Sequence, residues 1–82
     1  MCFLYIKYSA DKDKFYIGHT ENIQRRLIEH NLNKILGATD WVVMYSESFE
    51  TRGQAMKREL EIKNKKRRSF IENLIKNYRS FG

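Results

Sequence analysis

The chain has 82 residues, of which 41% are hydrophobic and 13% aromatic, with no proline and one cysteine. This composition favours one folded domain over residues 1–82, and the lone Cys2 excludes an internal disulfide and a cysteine metal site. The net charge of +6 is unevenly placed, −1 on residues 1–50 and +7 on residues 51–82, which favours a polyanionic partner, with nucleic acid ahead of a membrane surface.

No stretch of the chain approaches the roughly 20 apolar residues that a membrane-spanning helix needs. The apolar run from Cys2 to Ile6 is too short for a secretory signal, and Lys7 interrupts it. We therefore expect a reduced, cytoplasmic protein with no membrane partner. Charge alone leaves one alternative open, because a Lys-rich helix exposed to water would give the same basic half.

The first 18 residues predict a β-hairpin. Phe3–Tyr8 and Lys14–Gly18 are short, aromatic and β-branched, and polar residues separate them. If the loop is Ser9–Lys12, Tyr5 lies directly opposite Tyr16, on the same face of the hairpin. A slip of one residue would break this arrangement, so the expected pair of tyrosines depends on the register.

A helix and a third strand follow the hairpin. Gly18 ends the second strand, and Thr20 and Asn22 are good N-cap residues for a helix that runs to about Asn31. Trp41–Ser46 is rich in β-branched and aromatic residues, which favours a third strand.

The last third of the chain predicts two more helices. Thr51 and Gln54 form a capping-box pattern for a helix that runs to about Lys65, and Ser69 with Glu72 repeats the pattern before an apolar stripe. The order β-β-α-β-α-α predicts an α/β protein of the α+β type. In this fold three helices flank a small three-stranded antiparallel sheet.

The first helix carries two polar residues beside its apolar stripe. On a helical wheel Arg26 and His30 lie within about 60° of Ile23, which defines the stripe. An Arg at the edge of a core is costly unless an anion or a hydrogen-bonding group meets it. A functional site is one explanation. The other is an Arg that extends over the sheet to solvent and a His that bonds to backbone.

The second helix has an inward carboxylate. Its predicted buried side consists of Ala55, Met56, Leu60 and Ile62. Glu59 projects between the first two of these residues, and a carboxylate in that direction needs a cation, a hydrogen-bond donor or a metal ion. An ion pair between Glu59 and Arg26 is the structural alternative to a site.

These polar residues together suit the cleavage of a phosphodiester bond. That reaction needs a base that activates water, a cation that stabilises the pentacovalent phosphate, and a carboxylate that holds a divalent ion. An Arg suits the phosphate because its guanidinium donates two parallel hydrogen bonds. The candidates are Tyr5, Tyr16, Arg26, His30 and Glu59.

The same residues carry a resemblance to a known family. Tyr16-Ile17-Gly18 resembles the second half of the GIY-YIG nuclease motif, and Phe3-Leu4-Tyr5 stands where the first half would be. The spacing from Tyr16 to Arg26 and His30 is similar to that of the family's helix. Ala55-Met56-Lys57-Arg58-Glu59 resembles the segment with the metal-binding Glu of the family.

This resemblance implies a site and a cofactor. The implied site contains Tyr5, Tyr16, Arg26 and Glu59, with His30 as an additional member. Glu59 would bind Mg²⁺ or Mn²⁺, and a Tyr would act as the base or orient the attacking water. The chain departs from the motif at Phe3-Leu4, which replaces Gly-Ile, and at His19, where a small hydroxyl residue or Tyr is usual.

The resulting expectation is a metal-dependent endonuclease that hydrolyses nucleic acid, DNA first, in DNA repair or recombination. Its nucleic-acid contacts would come from the basic residues Lys63, Lys65, Lys66, Arg67 and Arg68. Because 82 residues leave no room for a second recognition domain, we expect a weak sequence preference. The alternative is a nucleic-acid-binding module on the same fold with weak or no catalysis. A domain that binds only protein partners would leave the five polar residues unexplained.

Overall fold

A computed structural model describes residues 1–65 and 67–79 of the chain. The strands are β1 (Cys2–Ser9), β2 (Lys14–Thr20) and β3 (Val42–Phe49), and the helices are α1 (Ile23–Leu32), α2 (Arg52–Lys65) and α3 (Arg68–Arg79). A short 3₁₀ turn at Ile35–Gly37 lies between α1 and β3. The predicted α+β fold and its order β-β-α-β-α-α are confirmed.

The sheet is antiparallel, with the strand order β2-β1-β3. β1 is the central strand, and Leu4, Tyr5, Ile6 and Lys7 are all buried in it. This burial on both faces requires helices on both sides of the sheet. β2 is an edge strand, and β3 lies on the other side of β1, with a register shift between Ile6 and Lys7. Both outer strands are longer than predicted.

The register of the hairpin differs from the predicted one by two residues. Tyr5 lies opposite Gly18, so the prediction that it lies opposite Tyr16 is wrong. The reason is the loop, which spans residues 10–13, whereas the predicted loop included Ser9, a residue that belongs to β1. A shift of two residues preserves the alternation of side chains, so both tyrosines still lie on one face of the sheet.

One face of the sheet packs against α2 and α3 and forms the apolar core. Leu4 and Ile6 of β1 meet Ile62 of α2 and Ile75 of α3, and none of the four is more than 8% exposed. Phe15, Ile17, Met44, Tyr45 and Phe49 surround this cluster from the strands. Burial of these side chains at roughly 25 cal/mol per Å² of apolar surface is the main force that holds the two helices on the sheet.

The predicted buried side of α2 is wrong in part. Ala55 and Ile62 are buried, but Met56 and Leu60 are 46% and 57% exposed. The inward row follows the spacing i, i+3, i+4 and i+7 from Ala55, so it includes Arg58 and Glu59. The carboxylate of Glu59 does therefore point inward, as predicted.

The capping-box prediction holds for α2 and fails for α3. Gln54 N donates to Thr51 Oγ1 and Thr51 N donates to Gln54 Oε1, each at 3.3 Å, in front of α2. α3 already begins at Arg68, so Ser69 lies inside its first turn and cannot cap it.

The other face of the sheet is covered by α1 and by the segment before β3. Asn22 caps α1, since its side-chain oxygen accepts from Arg25 N at 3.0 Å. The side chain of Asn31 near the end of α1 bonds to both backbone groups of Trp41, at 2.8 and 3.2 Å. Trp41 is 2% exposed and closes this second layer against Tyr16 of β2.

Within the described residues, no helix is both long enough and apolar enough to cross a membrane.

Candidate active site

The predicted site residues converge on a pocket at the edge of the sheet, beside β2. This pocket, called the edge pocket below, has a volume of about 190 Å³. It is lined by Tyr5, Tyr16, Ile17, Gly18, His19, Arg26, His30, Glu59 and Lys63. All five predicted site residues are among them. The pocket reaches around the edge strand, with tyrosines and α1 residues on one side and α2 residues on the other.

The two tyrosines lie nearly parallel across β1 and β2. Their ring centroids are 6.4 Å apart and their planes differ by 14°. Gly18 makes this possible, because a Cβ atom at that position would lie 2.7 Å from the Tyr5 hydroxyl oxygen. The glycine of the Tyr16-Ile17-Gly18 stretch thus leaves room for the tyrosine on the neighbouring strand.

Tyr5 and Tyr16 have different surroundings. Tyr5 is 3% exposed, and Tyr16 is partly exposed. Burial raises the pKa of Tyr5, the Tyr16 side chain raises it further, and Arg26 lowers it in part. The Tyr5 hydroxyl therefore stays protonated at neutral pH and can donate a hydrogen bond, but it is poorly suited to accept a proton. Tyr16 is therefore the tyrosine of the pair that solvent reaches more easily.

His30 lies inside this layer, against both tyrosines. Its ring meets Tyr16 edge-on at a centroid distance of 5.1 Å and Tyr5 at 6.4 Å. The side chain is buried, and its Nδ1 has no hydrogen-bond partner in the described part of the chain. The alternative of a His that bonds to backbone is therefore not supported at Nδ1. His30 holds Tyr16 in place by ring contact.

Lys7 is a buried cation that sequence reasoning did not identify as part of the site. It is 0% exposed, and its Nζ has no hydrogen-bond partner among the described residues. The ammonium lies 4.5 Å from the ring centroid of Tyr16, 5.2 Å from that of Trp41 and 5.4 Å from that of Tyr5. Burial, with a smaller contribution from Arg26, lowers the pKa of Lys7 to about 8. Strand alternation places Lys7 on the face of Tyr5, which was the available signal.

Glu59 is held by two basic side chains from opposite directions. Lys63 Nζ donates to its Oε2 at 2.8 Å, and His19 Nδ1 lies 2.8 Å from its Oε1. Burial raises the pKa of Glu59, but the hydrogen bonds from Lys63 and His19 outweigh it, so this pKa lies below its usual value. Arg52 Nε donates to His19 Nε2 at 3.4 Å, which fits a His19 with its proton on Nδ1. His19 thus belongs to the site.

The alternative of an ion pair between Glu59 and Arg26 is not supported by the described residues. Arg26 Nη1 lies 3.7 Å from Glu29 Oε2 on its own helix, and its side chain is 40% exposed. The guanidinium lines the edge pocket from α1, and it perturbs the pKa of both Tyr5 and Lys7. Its charge therefore acts on the tyrosine side of the pocket.

The basic residues predicted to bind nucleic acid do not form one uniform patch. A groove beyond the edge pocket, called the α3 groove below, shares Ile17 and Lys63 with it and is also lined by Phe15, Arg67 and Arg68. Arg68 Nη2 is paired with Asp13 Oδ1 at 2.6 Å, and its guanidinium lies 5.1 Å from the Phe15 ring centroid. It has a structural role as well. Lys65 Nζ lies over the Phe70 ring at 5.7 Å, and Lys66 is outside the described residues.

The donor set of the edge pocket suits a divalent ion only at Glu59. It is the only carboxylate that lines the pocket in the part of the chain that the structure describes, and no group of three or more His, Cys, Asp and Glu side chains gathers there. Mg²⁺ is commonly bound by one or two carboxylates with water and substrate oxygens completing its shell. Lys63 already places a positive charge on Oε2. A divalent ion can bind this carboxylate once the Lys63 side chain has moved away from Oε2.

Comparisons with known proteins give a family and several relatives. Residues 1–78 match the GIY-YIG catalytic domain. A UPF0213 protein of Halobacterium salinarum is 38% identical over 53 residues, 60% of this chain and 69% of that protein. UPF0213 proteins of Natronomonas pharaonis and Staphylococcus haemolyticus are 33% and 35% identical, over 76% and 74% of this chain and 76% and 78% of their own length. No solved structure matches the chain.

Proposed function

We propose that this chain, which belongs to the family of GIY-YIG catalytic domains, is a metal-dependent endonuclease. Its proposed reaction is the hydrolysis of phosphodiester bonds. DNA is the proposed substrate, and residues 1–82 are proposed to act as one domain in the cytoplasm, in DNA repair or recombination. The observation that carries the proposal is the edge pocket, where two tyrosines, Arg26 and Glu59 line one open cavity.

In the proposed chemistry, the residues on the two sides of β2 have different roles. Tyr16, the more exposed of the pair, orients the attacking water and, in its phenolate form, takes up the proton of that water. Tyr5 stays protonated, because burial raises its pKa, and donates a hydrogen bond to the phosphate. Arg26 offers its guanidinium to the phosphate oxygens, and its negative partner Glu29 is a partly exposed residue on the same helix. His30 keeps the Tyr16 ring in position from behind.

Glu59 is the residue that would hold Mg²⁺ or Mn²⁺. A divalent ion supplies positive charge that stabilises the developing charge on a leaving oxygen. Without a bound metal ion, Lys63 and His19 keep the Glu59 carboxylate ionised and in position, because their hydrogen bonds lower its pKa. Lys63 is 49% exposed, so it can turn towards solvent or towards a substrate phosphate without breaking the core.

The proposed path of the nucleic acid follows the edge of the sheet. The edge pocket shares Ile17 and Lys63 with the α3 groove, so the two cavities adjoin each other. Lys63, Arg67 and Arg68 contribute charge along it, and Lys65 and Lys66 are proposed to extend the basic surface. These contacts are to phosphates, so they give affinity that falls with salt and little sequence preference.

A binding module with weak or no catalysis is the second candidate. It is favoured by one observation, that both oxygens of the Glu59 carboxylate already have basic partners, Lys63 and His19. If these contacts persist with substrate bound, no divalent ion reaches Glu59, and nucleic acid is bound without being cut.

Cleavage assays distinguish the two candidates. The purified chain is incubated with labelled single-stranded, duplex and branched DNA and with matched RNA, in the presence of Mg²⁺, Mn²⁺ or EDTA. The nuclease proposal expects cleavage of at least one DNA substrate that needs the metal and is lost in EDTA. Binding of these substrates without cleavage under any metal condition would support the module instead.

A further inference from the structure

A second pocket adjoins the edge pocket at the other end of β2. This cavity of about 200 Å³, called the arginine pocket below, is lined by Arg25, Arg26 and Arg52 together with His19 and Glu21. Its remaining lining comes from Cys2 and Thr20. His19 and Arg26 line both pockets, so the arginine pocket opens directly beside the tyrosine pair.

The arginines that line the arginine pocket outnumber the carboxylates that pair with them. Arg25 Nε and Arg26 Nη1 share one carboxylate, that of Glu29, at 3.4 and 3.7 Å. Arg52 donates only to His19 Nε2, at 3.4 Å, and within residues 1–65 and 67–79 no carboxylate lies within ion-pair distance of it. Arg25 and Arg52 are both exposed, so their charged groups are available to a ligand.

The chemistry of this lining fits a phosphate. Three guanidiniums from two helices offer paired N–H donors around one small polar cavity, which is the arrangement that phosphate oxygens accept well. Arg52 is also the first residue of the 14-residue helix α2, whose positive dipole end adds to the same potential. Glu21 is the only carboxylate that lines the pocket in the described chain.

We propose that the arginine pocket binds the phosphate next to the one that is cut, on the same strand. This inference rests on the proposed function and extends it, since Arg26 would contact the cut phosphate on one side and Arg25 and Arg52 its neighbour on the other. By holding this second phosphate, the pocket would position the nucleic-acid strand over Tyr16 without reading its base sequence. It also moves part of the nucleic-acid contact into residues 1–50 and away from the basic C-terminal half.

Short oligonucleotides test this site without requiring cleavage. Binding of the thymidine dinucleotide TpT, which has one phosphodiester, is compared with that of TpTpT, which has two, by NMR titration in EDTA. The wild-type chain is expected to bind TpTpT about tenfold more tightly, because the second phosphate finds paired guanidinium donors. In Arg52→Gln and Arg25→Gln the ratio is expected to fall to about two or less. Lys57→Gln removes one exposed charge from the same helix α2 and serves as the matched control, with an unchanged ratio.

The result that would overturn the proposal is a TpTpT to TpT ratio that stays at the wild-type value in both arginine variants. A wild-type ratio near one would also overturn it. A second titration with inorganic phosphate separates this outcome from failure of the proposed function. If neither oligonucleotide binds but phosphate shifts the side-chain N–H signals of Arg25 and Arg52, the pocket binds a free anion only and the proposal fails, while the cleavage assay still decides the nuclease assignment. If phosphate leaves those signals unchanged, the site itself is wrong.

Discussion

At the scale of single residues, Gly18 determines whether the tyrosine pair can form. A Cβ atom there would lie 2.7 Å from the Tyr5 hydroxyl oxygen and 2.9 Å from Tyr5 Cζ, and both distances are too short for any real contact. The rigid ring of Tyr5 cannot bend away, because the residue is buried in the central strand. The glycine is therefore needed by its neighbour across the sheet.

Gly18→Ala is expected to displace the Tyr5 ring. Overpacking of this kind costs about 1 to 3 kcal/mol of stability. The cleavage rate should fall about tenfold or more, because the Tyr5 hydroxyl leaves its position and misplaced groups in a site lower the rate strongly. Thermal unfolding and single-turnover cleavage measure the two effects. Gly53→Ala is the matched control, because a Cβ at Gly53 meets nothing within 4 Å. Wild-type cleavage by the Gly18 variant would contradict this role.

The tyrosine hydroxyls have separate expected roles. Tyr16→Phe removes the proposed base and should lower the cleavage rate by roughly 10²- to 10⁴-fold, the range for an acid–base group. Tyr5→Phe removes a donor and should lower the rate without removing the rise of rate with pH that a base gives. Pre-steady-state rates over a pH series provide the measurement, with Tyr78→Phe, an exposed tyrosine on α3, as the control. If both variants cut at wild-type rates, the tyrosines only pack.

Lys7 makes stability depend on pH in the alkaline range. Its pKa is about 8 in the folded chain and near 10.5 when unfolded, so the unfolded chain holds more protons between these values. Stability from this group therefore rises with pH through that window, and the cost of the buried charge is fully present below pH 8. The three aromatic rings around Nζ offset only part of this cost.

Lys7→Met should stabilise the chain at pH 7, by something on the order of 1 to 3 kcal/mol, because one pKa unit corresponds to about 1.4 kcal/mol. The gain over wild type should be constant up to about pH 8 and should shrink as the pH rises from there towards 10.5. Urea unfolding at several pH values measures it, and Lys57→Met, at an exposed lysine of α2, controls for the new methionine. A Met variant that is less stable than wild type at pH 7 would show that ring contacts outweigh the cost of burial.

The residues that meet in the edge pocket stand out in the sequence because each has a chemical reason for its position. An Arg, a His and a Glu beside apolar stripes stand out on a helical wheel, and the Tyr-Ile-Gly stretch carries the resemblance. The partners of Glu59 were not predictable, since His19 and Lys63 reach it across a tertiary contact whose geometry no periodicity encodes. Lys7 was missed because a cation at a buried position contradicts ordinary strand patterning.

At the scale of elements, the β1–β2 loop is tied to the start of α3. Asp13 has a positive φ of 50°, and its carboxylate accepts from Arg68 Nη2 at 2.6 Å and from the Tyr8 hydroxyl at 2.5 Å. Arg68 Nη1 also donates to the Asp13 carbonyl at 3.2 Å. This tie places Arg68 over the Phe15 ring, and so it shapes the α3 groove.

The tie should weaken in acid. The hydrogen bonds from Arg68 and then from Tyr8 lower the pKa of Asp13 to about 2, below its usual value of 3.8. Stability from a carboxylate of this kind is present above pH 4 and is lost as the pH falls towards 2. Asp13→Asn, which tolerates the same φ, should melt at a lower temperature than wild type at pH 7, and this difference should disappear near pH 2.

Calorimetry between pH 2 and 7 measures this difference. Asp11→Asn is the matched control, since Asp11 lies in the same loop and its carboxylate has only a 3.9 Å ion pair with Lys12. Equal melting temperatures for wild type and Asp13→Asn at pH 7 would show that the tie adds no stability.

The elements themselves were largely predictable, and their pairing was not. Apolar periodicity and capping residues predict three strands and three helices in the right order. The register was off by two because Ser9, a polar residue typical of loops, is buried at the end of β1, where its hydroxyl donates to Asp40 Oδ1. That contact spans 31 positions of sequence, and local patterns carry no information on it.

At the scale of the whole molecule, charge and site are arranged around one edge of the sheet. The arginine pocket, the edge pocket and the α3 groove follow β2 in that order and are joined by shared residues. The net charge of +7 in residues 51–82 predicted a basic surface, but Arg25 and Arg26 lie in the half that carries −1. Folding brings them to the same edge, so the charge of a half-chain describes the binding surface incompletely.

The proposed cleavage depends on Glu59, the residue at this edge that would hold the divalent ion. Glu59→Gln keeps the size of the side chain and removes its charge, so metal binding should be lost while Lys63 and Arg26 still face the nucleic acid. Affinity for DNA in EDTA should hold or rise slightly, because one negative charge beside the phosphates is gone. Glu61→Gln, an exposed carboxylate on the same helix, is the matched control and should behave as wild type.

The most direct test is therefore the single-turnover cleavage rate of Glu59→Gln in Mg²⁺, on the best DNA substrate of the wild-type chain, with affinity and melting temperature measured on the same samples. We predict a rate lower by about 10² or more, with DNA affinity kept. We also predict a melting temperature close to that of wild type, since the partners of Glu59, His19 and Lys63, are not fully buried. A destabilised Glu59→Gln chain that still cleaves at the full rate would contradict the role of Glu59 in catalysis.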